Sequence, residues 1–421
     1  MLERVLRDVY RIVKDVRLRG DKAIADFYEN FYGIPRDTSI VVEEDEIRTA
    51  FKQINEEFIR SSKRIINRIK SFNEKILAFL KDYWLHEISK GVYVGQVIRP
   101  IEKVGAYIPG GYYPYPSTAL MTITPGKVAG SKVYVATPPM GRGNPSIDPG
   151  ILVASKLAGA SRIYRLGGAH AAAALAYGTN TVEKTDKIVG PGGIWWSAGK
   201  YVVSKDVCID MIAGPSEIMI LAETPSDPEI IAYDMVAQSE HGDASISILV
   251  TNSKSLAEEV LASIEDIIRD SPSKARNFII KNLLEYGAIM VVDNLDYAVE
   301  AVNLFAPEHL EILINKEKIP QILSKIRNAG SIYIGEYAPT ALGDYCLGTN
   351  HVLPTNGLAR GRGGLSVLDY VKFIDIHFIT PEGFLEVVKD ALILADYEKF
   401  LFHKRSLEVR INKLRGGDVN G

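Results

Sequence analysis

The sequence is poor in cysteine, has no excess of either charge and contains no long apolar run. Its 421 residues include only Cys208 and Cys346, too few for a disulfide framework or a cysteine-rich metal site. The net charge of −3 gives no electrostatic reason to expect nucleic acid or an anionic membrane as partner. No stretch approaches the ~18 apolar residues of a membrane span. A cytoplasmic protein without such partners is expected.

Apolar residues make up 47% of the chain, enough for substantial cores. From about residue 95, short apolar runs alternate with helical patterns. The predicted strands include 132–137, 162–166, 245–251 and 288–292, and the predicted helices include 149–159, 170–177, 228–237 and 253–269. This alternation is typical of α/β units with parallel sheets.

The same patterns predict an α/β protein in four segments. Residues 1–92 show a helical period and form an N-terminal helical segment. Residues 93–213 and 214–372 form two α/β units, and the second contains a long loop, 336–366. Residues 373–421 form a C-terminal helical tail.

Gln238 and His241 stand three residues apart at the end of the predicted helix 228–237. Residues at i and i+3 share one face of a helix, so this face would present an amide oxygen and an imidazole nitrogen just before Gly242 ends the helix. Such donors suit zinc or a similar divalent ion. Two ligands do not make a site, and a structural role explains this pair equally well.

Further candidate ligands and bases follow later in the chain. Glu308 and His309 are adjacent, and His403 stands five residues after Glu398 on the C-terminal helical stretch, a spacing that would place the two on neighbouring faces. Taken singly, each has a structural interpretation: a helix terminus for the first pair and a solvated face for the second.

The segment 339–364 carries six glycines and two prolines around polar residues that include Asp344 and His351. Long polar loops of this kind are usually functional. On these residues alone, Asp344 is equally explained as a helix C-terminal or turn residue.

Five motifs, in this order, are similar to those of the histidinol dehydrogenase family. They are Gly105–Gly111 with Tyr115–Thr118, Gly214–Glu217, Gln238–Gly242, Ala306–Leu310, and Gly343–Asp344 with Gly348–Thr355. The resemblance runs from about residue 95 to 410. It implies that both α/β units are Rossmann-like but incomplete, and the sequence has no G-x-G-x-x-G dinucleotide motif.

The resemblance implies a four-electron oxidation of L-histidinol to L-histidine through L-histidinal, the last steps of histidine biosynthesis, with two NAD+ reduced. It also implies one zinc ion held by Gln238, His241, Asp344 and His403, a set of one carboxylate and neutral donors. In the family, the C-terminal tail reaches into the neighbouring subunit. A homodimer with shared active sites is therefore implied.

The resemblance also assigns roles to individual residues. His309 would remove the alcohol proton as hydride leaves for NAD+, and Glu308 would activate the water that adds to the aldehyde. Tyr107 matches a position that meets NAD. The implied substrate contacts are Ser216, Gln238, His241, His309, Asp344, His351, Glu398 and His403.

Two positions depart from the family's cofactor pattern. Gly-Gly-Ala-Gln becomes Gly-Gly-Ala-His at His170, and Gly-Pro-Gly-Asn becomes Gly-Pro-Gly-Gly at Gly193. These departures leave open a zinc hydrolase or zinc-binding protein on the same scaffold. A nearer alternative is a paralogous zinc- and NAD-dependent dehydrogenase of another small alcohol, although Glu398 and Tyr115-Pro116-Ser117 favour the amino alcohol.

Overall fold

The computed structural model describes residues 3–110, 113–242, 244–270 and 273–416, so Gly111 of the first motif lies outside the described residues. The chain forms two compact units. The larger contains residues 1–76 and 101–370, and the smaller contains residues 77–100 and 371–421.

Helices occupy most of the first 78 residues. They are α1 (Glu3–Arg19), α2 (Asp21–Phe27), a π-helical turn (Tyr28–Tyr32), α3 (Glu44–Gln53) and α4 (Glu56–Ala78). The apolar face of α1 buries Val9, Val13 and Val16 at helical spacing in a core shared with the first α/β lobe.

The prediction that residues 1–92 are helical is wrong at its end. An antiparallel pair of strands begins there, β1 (Tyr83–Ser89) and β2 (Val92–Pro100). The aromatic and β-branched residues of Tyr83-Trp84 and Val92-Tyr93-Val94 favour strands over helices.

The first α/β lobe is built on five parallel strands. They are β3 (Lys103–Tyr107), β4 (Lys132–Thr137), β5 (Arg162–Arg165), β6 (Lys187–Val189) and β7 (Cys208–Ile209). Its helices are α5 (Pro116–Ala129), α6 (Pro149–Ala158), α7 (Gly168–Tyr177) and α8 (Ile194–Val203). The spatial order β5-β4-β3-β6-β7 is that of a doubly wound sheet that lacks a sixth strand.

The second lobe repeats this topology in the order β10-β9-β8-β11-β12. Its strands are β8 (Glu217–Ala222), β9 (Ile246–Thr251), β10 (Gly287–Val291), β11 (His309–Leu313) and β12 (Ser331–Ile334). Its helices are α9 (Pro228–Gln238), α10 (Lys254–Asp270), α11 (Ser273–Tyr286), α12 (Leu295–Phe305), α13 (Ile319–Lys325) and α14 (Thr340–Tyr345), with a 3₁₀ turn at Lys316–Lys318. The prediction of two incomplete Rossmann-like units is confirmed.

The predicted loop 336–366 is not irregular throughout. It contains α14, which carries Asp344, and a 3₁₀ turn at Leu358–Arg360, and a further 3₁₀ turn follows at Val367–Tyr370. The first backbone N–H of α14 donates to the buried Glu311 carboxylate, which caps the start of the helix.

The smaller unit joins β1 and β2 to a third strand, β13 (Val371–Ile379), which pairs antiparallel with β2. Two helices follow, α15 (Pro381–Tyr397) and α16 (Leu401–Gly416). The prediction of a helical tail from residue 373 is therefore wrong over β13, where aromatic and β-branched residues again favour a strand. None of the helices in the described ranges has the length and apolar character needed to cross a bilayer.

The expected placement of Glu398 and His403 on one helix is also wrong. Glu398 follows the last residue of α15, whereas His403 lies on α16. Lys399 separates them with a φ of 61°, a left-handed conformation that interrupts the helix.

Candidate active site

The candidate active site lies where β8 and β11 begin. Glu308 directly precedes β11, His309 is its first residue, and Glu217 is the first residue of the neighbouring parallel strand β8. All three are at least nine-tenths buried. They stand at the amino edge of the second sheet, whereas α/β sheets usually bind ligands at the carboxyl edge.

Glu217 and Glu308 bind each other's backbone. The Glu217 N–H donates to Glu308 Oε2 at 2.8 Å, and the Glu308 N–H donates to Glu217 Oε2 at 3.3 Å. Burial raises the pKa of Glu308 to about 7, although neighbouring His309 opposes this shift. Glu308 is therefore a rigidly held carboxyl group that can exchange a proton near neutrality.

The His309 ring is fixed between three oxygen atoms. Its Nδ1 lies 3.0 Å from the Glu217 carbonyl oxygen and 3.5 Å from Glu308 Oε2, while Nε2 lies 3.5 Å from Asp344 Oδ1. A carbonyl only accepts, so Nδ1 carries a hydrogen. Nε2 makes no hydrogen bond of good geometry. It faces a carboxylate, an arrangement that favours a proton or a metal cation between the two atoms.

Asp344 joins two histidines. Its Oδ2 lies 3.6 Å from His241 Nε2, and its Oδ1 faces His309. Burial alone would raise the pKa of Asp344, but hydrogen bonds and charges from the two imidazoles outweigh burial and lower that pKa. For His309, burial would lower the pKa, but the carboxylates of Glu308 and Asp344 raise it to about 9. The site therefore holds an ionised carboxylate.

His351 connects this site to the first lobe. Its Nδ1 lies 2.8 Å from the Asp344 carbonyl oxygen, and its Nε2 lies 3.0 Å from Thr118 Oγ1 on α5. Burial lowers the pKa of His351, which keeps the ring neutral. Both nitrogens are engaged within the chain, so the ring links α14 to α5.

Gln238 is the last residue of α9 and is 2% exposed. Its Nε2 is buried without a hydrogen-bond partner in the described structure. A buried unpartnered amide costs about 1–3 kcal/mol. Rotation of the terminal amide exchanges its oxygen and nitrogen, so this end can present an oxygen to a cation.

His241 lies beyond α9, so the prediction that one helix face carries Gln238 and His241 is wrong. The N–H groups of Ser239, Glu240 and His241 bind carbonyls three residues back, and the His241 N–H binds the Gln238 oxygen at 3.2 Å. This tightening ends the α-helix early. This turn, and not a shared helix face, brings His241 back to the backbone of Gln238.

The larger unit contains three of the four predicted metal ligands, which are the Gln238 amide, the His241 imidazole and the Asp344 carboxylate. Among the described residues, no group of three or more His, Cys, Asp or Glu side chains is arranged to hold a metal ion by itself. A metal here would therefore depend on the Gln238 amide and on a donor from elsewhere. His403, the fourth predicted ligand, belongs to the smaller unit and is exposed on α16.

The other predicted substrate contacts are divided between the units. Ser216 directly precedes Glu217 and is half-buried beside the site. Glu398 is exposed at the end of α15 in the smaller unit.

A second group of residues lies at the carboxyl edge of the first sheet. Tyr107, the last residue of β3, stacks on Trp196 with ring centroids 4.1 Å apart, and its hydroxyl accepts the Gly168 N–H at 3.3 Å. Helices α7 and α8 both begin without a side-chain cap, at Gly167 and Gly193. Their backbone N–H groups suit an anionic ligand such as a phosphate.

His170 and Gly193 differ in their surroundings. The His170 ring stacks on Phe27, with centroids 3.6 Å apart, and burial lowers its pKa to about 4. This residue therefore packs an N-terminal helix against α7. At Gly193, an added Cβ would meet no heavy atom within 4 Å.

Comparison with known proteins identifies this arrangement. A model of the family described as Histidinol dehydrogenase matches residues 1–411. The chain belongs to the histidinol dehydrogenase family. The histidinol dehydrogenase of Methanosarcina barkeri is 41% identical over 411 residues, which cover 97% of this chain and 92% of that protein. That of Geobacter sulfurreducens is 39% identical, with 97% and 93% covered.

Solved structures agree with the family assignment. Histidinol dehydrogenase from Elizabethkingia anophelis has a TM-score of 0.91 and 34% identity, covering 98% of this chain and 93% of that one. An acetylating aldehyde dehydrogenase from Geobacillus thermoglucosidasius, with a TM-score of 0.50 and 12% identity over 90% and 98% of the two chains, shares the fold alone. The predicted family, the α/β fold and the oxidoreductase class are confirmed.

Three acidic groups of this histidinol dehydrogenase family member, two buried and one half-buried, were not predicted as functional. They are Glu217, which holds Glu308 and His309, and the pair Asp234 and Glu311. One sequence signal was present for two of them. Glu217 and Glu311 are charged residues within the strand runs Glu217–Ala222 and His309–Leu313, whose other members are apolar except for His309. A buried charge in a strand interior requires a specific partner.

Proposed function

We propose that the chain is a zinc- and NAD-dependent histidinol dehydrogenase that oxidises L-histidinol to L-histidine through L-histidinal. The observation that supports it best is the convergence of Glu308, His309 and Asp344, which are buried, with His241, which is exposed, in a chain of this family. The overall conversion consumes one water and two NAD+ and yields two NADH.

Zinc fits the donors present. Asp344 is ionised, the Nε2 of His241 faces it, and the Gln238 amide is buried without a partner. We assign Gln238, His241, Asp344 and His403 as the ligands. Bound there, zinc supplies a fixed positive charge that orients the substrate and offsets the Asp344 carboxylate.

In the first oxidation, neutral His309 takes the hydroxyl proton of the alcohol at Nε2 while the carbinol hydrogen leaves as hydride to NAD+. The Asp344 carboxylate is one of the groups that raise the pKa of His309, so a metal ion at Asp344 would favour the neutral imidazole. The Nδ1–H of His309 stays bound to the Glu217 carbonyl, which fixes the tautomer and exposes Nε2. The Glu308 carboxylate stabilises the imidazolium that forms, since its Oε2 lies 3.5 Å from Nδ1.

In the second oxidation, Glu308 accepts a proton from the water that adds to the aldehyde, while the imidazolium of His309 returns its proton to the aldehyde oxygen and becomes neutral again. A pKa of about 7 suits a group that takes and releases protons near neutrality. The resulting hydrate loses a second hydride to NAD+ and a proton to His309, which leaves the carboxylic acid. Ser216 and Glu398 are assigned to substrate binding, and Glu398 suits the substrate's ammonium group.

NAD is assigned to the carboxyl edge of the first sheet. Tyr107 with Trp196 offers a stacked aromatic wall, and the uncapped starts of α7 and α8 offer N–H groups for the pyrophosphate. The backbone at Gly192 lies close to the Trp196 ring, because an added Cβ would lie 2.5 Å from it. This closeness suits direct backbone contact with a ligand.

We further propose a cytoplasmic homodimer in which His403 and Glu398 complete the partner's site. The smaller unit exposes a set of large apolar side chains, which are Phe373, Phe378, Ile393, Leu394, Phe400 and Phe402. Exposed apolar patches of this kind mark interaction surfaces.

Shared sites can be tested by mixing two inactive variants. His403→Ala dimers lack a zinc ligand, and His309→Ala dimers lack the base. After subunit exchange at equal concentration, half of the dimers contain one of each, and each has one complete site. Activity of about a quarter of the wild-type value is expected. No recovery, with exchange verified by mass spectrometry, would show that each chain builds its own site.

Zinc binding itself is tested with the same His403→Ala variant. Competition with a chromophoric chelator should show about one zinc per wild-type chain and at least ~10- to 100-fold weaker binding in the variant. The exposed strand residue His377 provides the matched control, because His377→Ala should leave affinity unchanged. Unchanged affinity in His403→Ala would rule out this ligand.

A further inference from the structure

A pair of carboxyl groups lies on two of the elements that carry the candidate site, and neither has a role in the proposed chemistry. Glu311 lies on β11 and is 2% exposed, and Asp234 lies on α9 and is half-buried. Their side chains are within hydrogen-bonding reach of each other. Each shares a face of its element with a site residue. Glu311 follows His309 by two residues on a strand, and Asp234 precedes Gln238 by four residues on a helix.

Glu311 also holds the helix that carries Asp344. Its Oε1 accepts the backbone N–H and the hydroxyl of Thr340, both at 2.7 Å. Thr340 is the first residue of α14, which has no cap from its own N-cap residue Pro339. Asp344 follows Thr340 by four residues, on the same helix face. Glu311 is therefore a cap supplied by β11 to α14.

The contact between the two carboxyl groups requires one proton. Both are acceptors when ionised, and the Oε2 of Glu311 is buried without a hydrogen-bond donor among the described residues. Burial and the charge of Glu311 raise the pKa of Asp234 above its usual range. Glu311 is the anion, because it already accepts two hydrogen bonds at a helix N-terminus. Asp234 is the acid that donates to it.

We propose that Asp234 and Glu311 share one proton, and that this pair is a positioning device that fixes α9, β11 and α14 so that Gln238, His309 and Asp344 meet at one point. The proposal rests on the proposed function for the roles of those three residues. In this role Asp234 and Glu311 are positioning residues and have no direct part in the reaction. They act through the elements on which the ligands and the base are carried.

Substitutions at Asp234 test the proposal most cleanly, because this residue is half-buried and its loss leaves no large void. Asp234→Asn keeps an N–H donor toward Glu311, so zinc affinity should stay within a few-fold of the wild-type value. Asp234→Ala leaves the buried Glu311 oxygen without a donor, and zinc affinity and kcat should fall ~10- to 100-fold. The KM for NAD+ should not change. Glu229→Ala, which removes an exposed acid from the same helix, is the control.

Hydrogen–deuterium exchange gives a readout that does not depend on zinc or on catalysis. The peptide that spans α14 should exchange faster in Asp234→Ala than in the wild type, and at the wild-type rate in Asp234→Asn. If the wild type fails to bind zinc, the proposed function fails, and this exchange comparison still decides the role of the pair.

Two results would overturn the proposal. One is equal loss in Asp234→Asn and Asp234→Ala, which would show that the donated proton is not what matters. The other is wild-type zinc affinity together with wild-type exchange of α14 in Asp234→Ala, which would reduce the pair to a solvated carboxyl beside a helix cap.

Discussion

Replacement of Gly193 by asparagine should strengthen NAD+ binding. Gly193 is the N-cap residue of α8, with φ −66° and ψ 178°, a conformation open to any residue. An added Cβ meets no heavy atom within 4 Å. The substitution therefore introduces a polar side chain at the proposed cofactor edge without strain or displacement.

The expected gain is that of one neutral hydrogen bond. Such a bond contributes about 0.5–1.5 kcal/mol net, which corresponds to a few-fold to roughly ten-fold lower KM for NAD+. Asparagine is also a slightly better N-cap than glycine, so unfolding should cost a few tenths of a kcal/mol more. The KM for histidinol should stay the same.

Initial rates of NADH formation at saturating histidinol measure the effect, with Gly193→Ala as the control that fills the same space without a polar group. The alanine variant should keep the wild-type KM for NAD+. An unchanged or raised KM in Gly193→Asn would refute the reasoning. The glycine would then serve close approach of the backbone to the cofactor, and no contact would be missing.

Other variants separate the remaining roles. His309→Ala should slow histidinol oxidation ~10²- to 10⁴-fold, as loss of a positioned base does, and a smaller loss in rapid-kinetic measurements would argue against this base. Glu308→Gln should impair oxidation of supplied histidinal more than the first oxidation, and equal losses in the two half-reactions would contradict the division of labour. Lys200→Met should destabilise the protein by about 3–5 kcal/mol in denaturant titration, because it leaves the buried Asp210 carboxylate without its 2.6 Å partner. A shift below ~1 kcal/mol would show that this ion pair is dispensable.

The sequence predicted the two α/β lobes well because their strands and helices carry strong local signals. The predicted strand at 132–137 matches β4 at both ends, and the predicted helix at 149–159 differs from α6 by one residue. Central strands such as β4 and β8 are buried on both faces, so they form nearly continuous apolar runs that local patterns reveal.

The strands β1 and β13 were missed for the opposite reason. Most of their residues are exposed within the smaller unit, so no alternation of buried and exposed positions marks them in the sequence. Their pairing through β2 joins segments more than 270 residues apart, and no local pattern encodes such a contact.

The candidate site was predicted residue by residue through its motifs, but its supporting contacts were not. Glu308 and His309 stand out in a polar motif at the start of a strand. The hydrogen bond from the Glu217 N–H to Glu308, and that from the Thr340 N–H to Glu311, form only when β8, β11 and α14 pack together. Because the partners of these hydrogen bonds are far apart in the sequence, no fixed residue spacing reveals them.

The most direct test of the proposed function is the number of NADH molecules formed per L-histidinol consumed. Zinc-loaded protein should yield two NADH and one L-histidine for each L-histidinol, with no histidinal released. One NADH per substrate with accumulation of the aldehyde, or no NADH at all, would contradict a four-electron oxidation at this site.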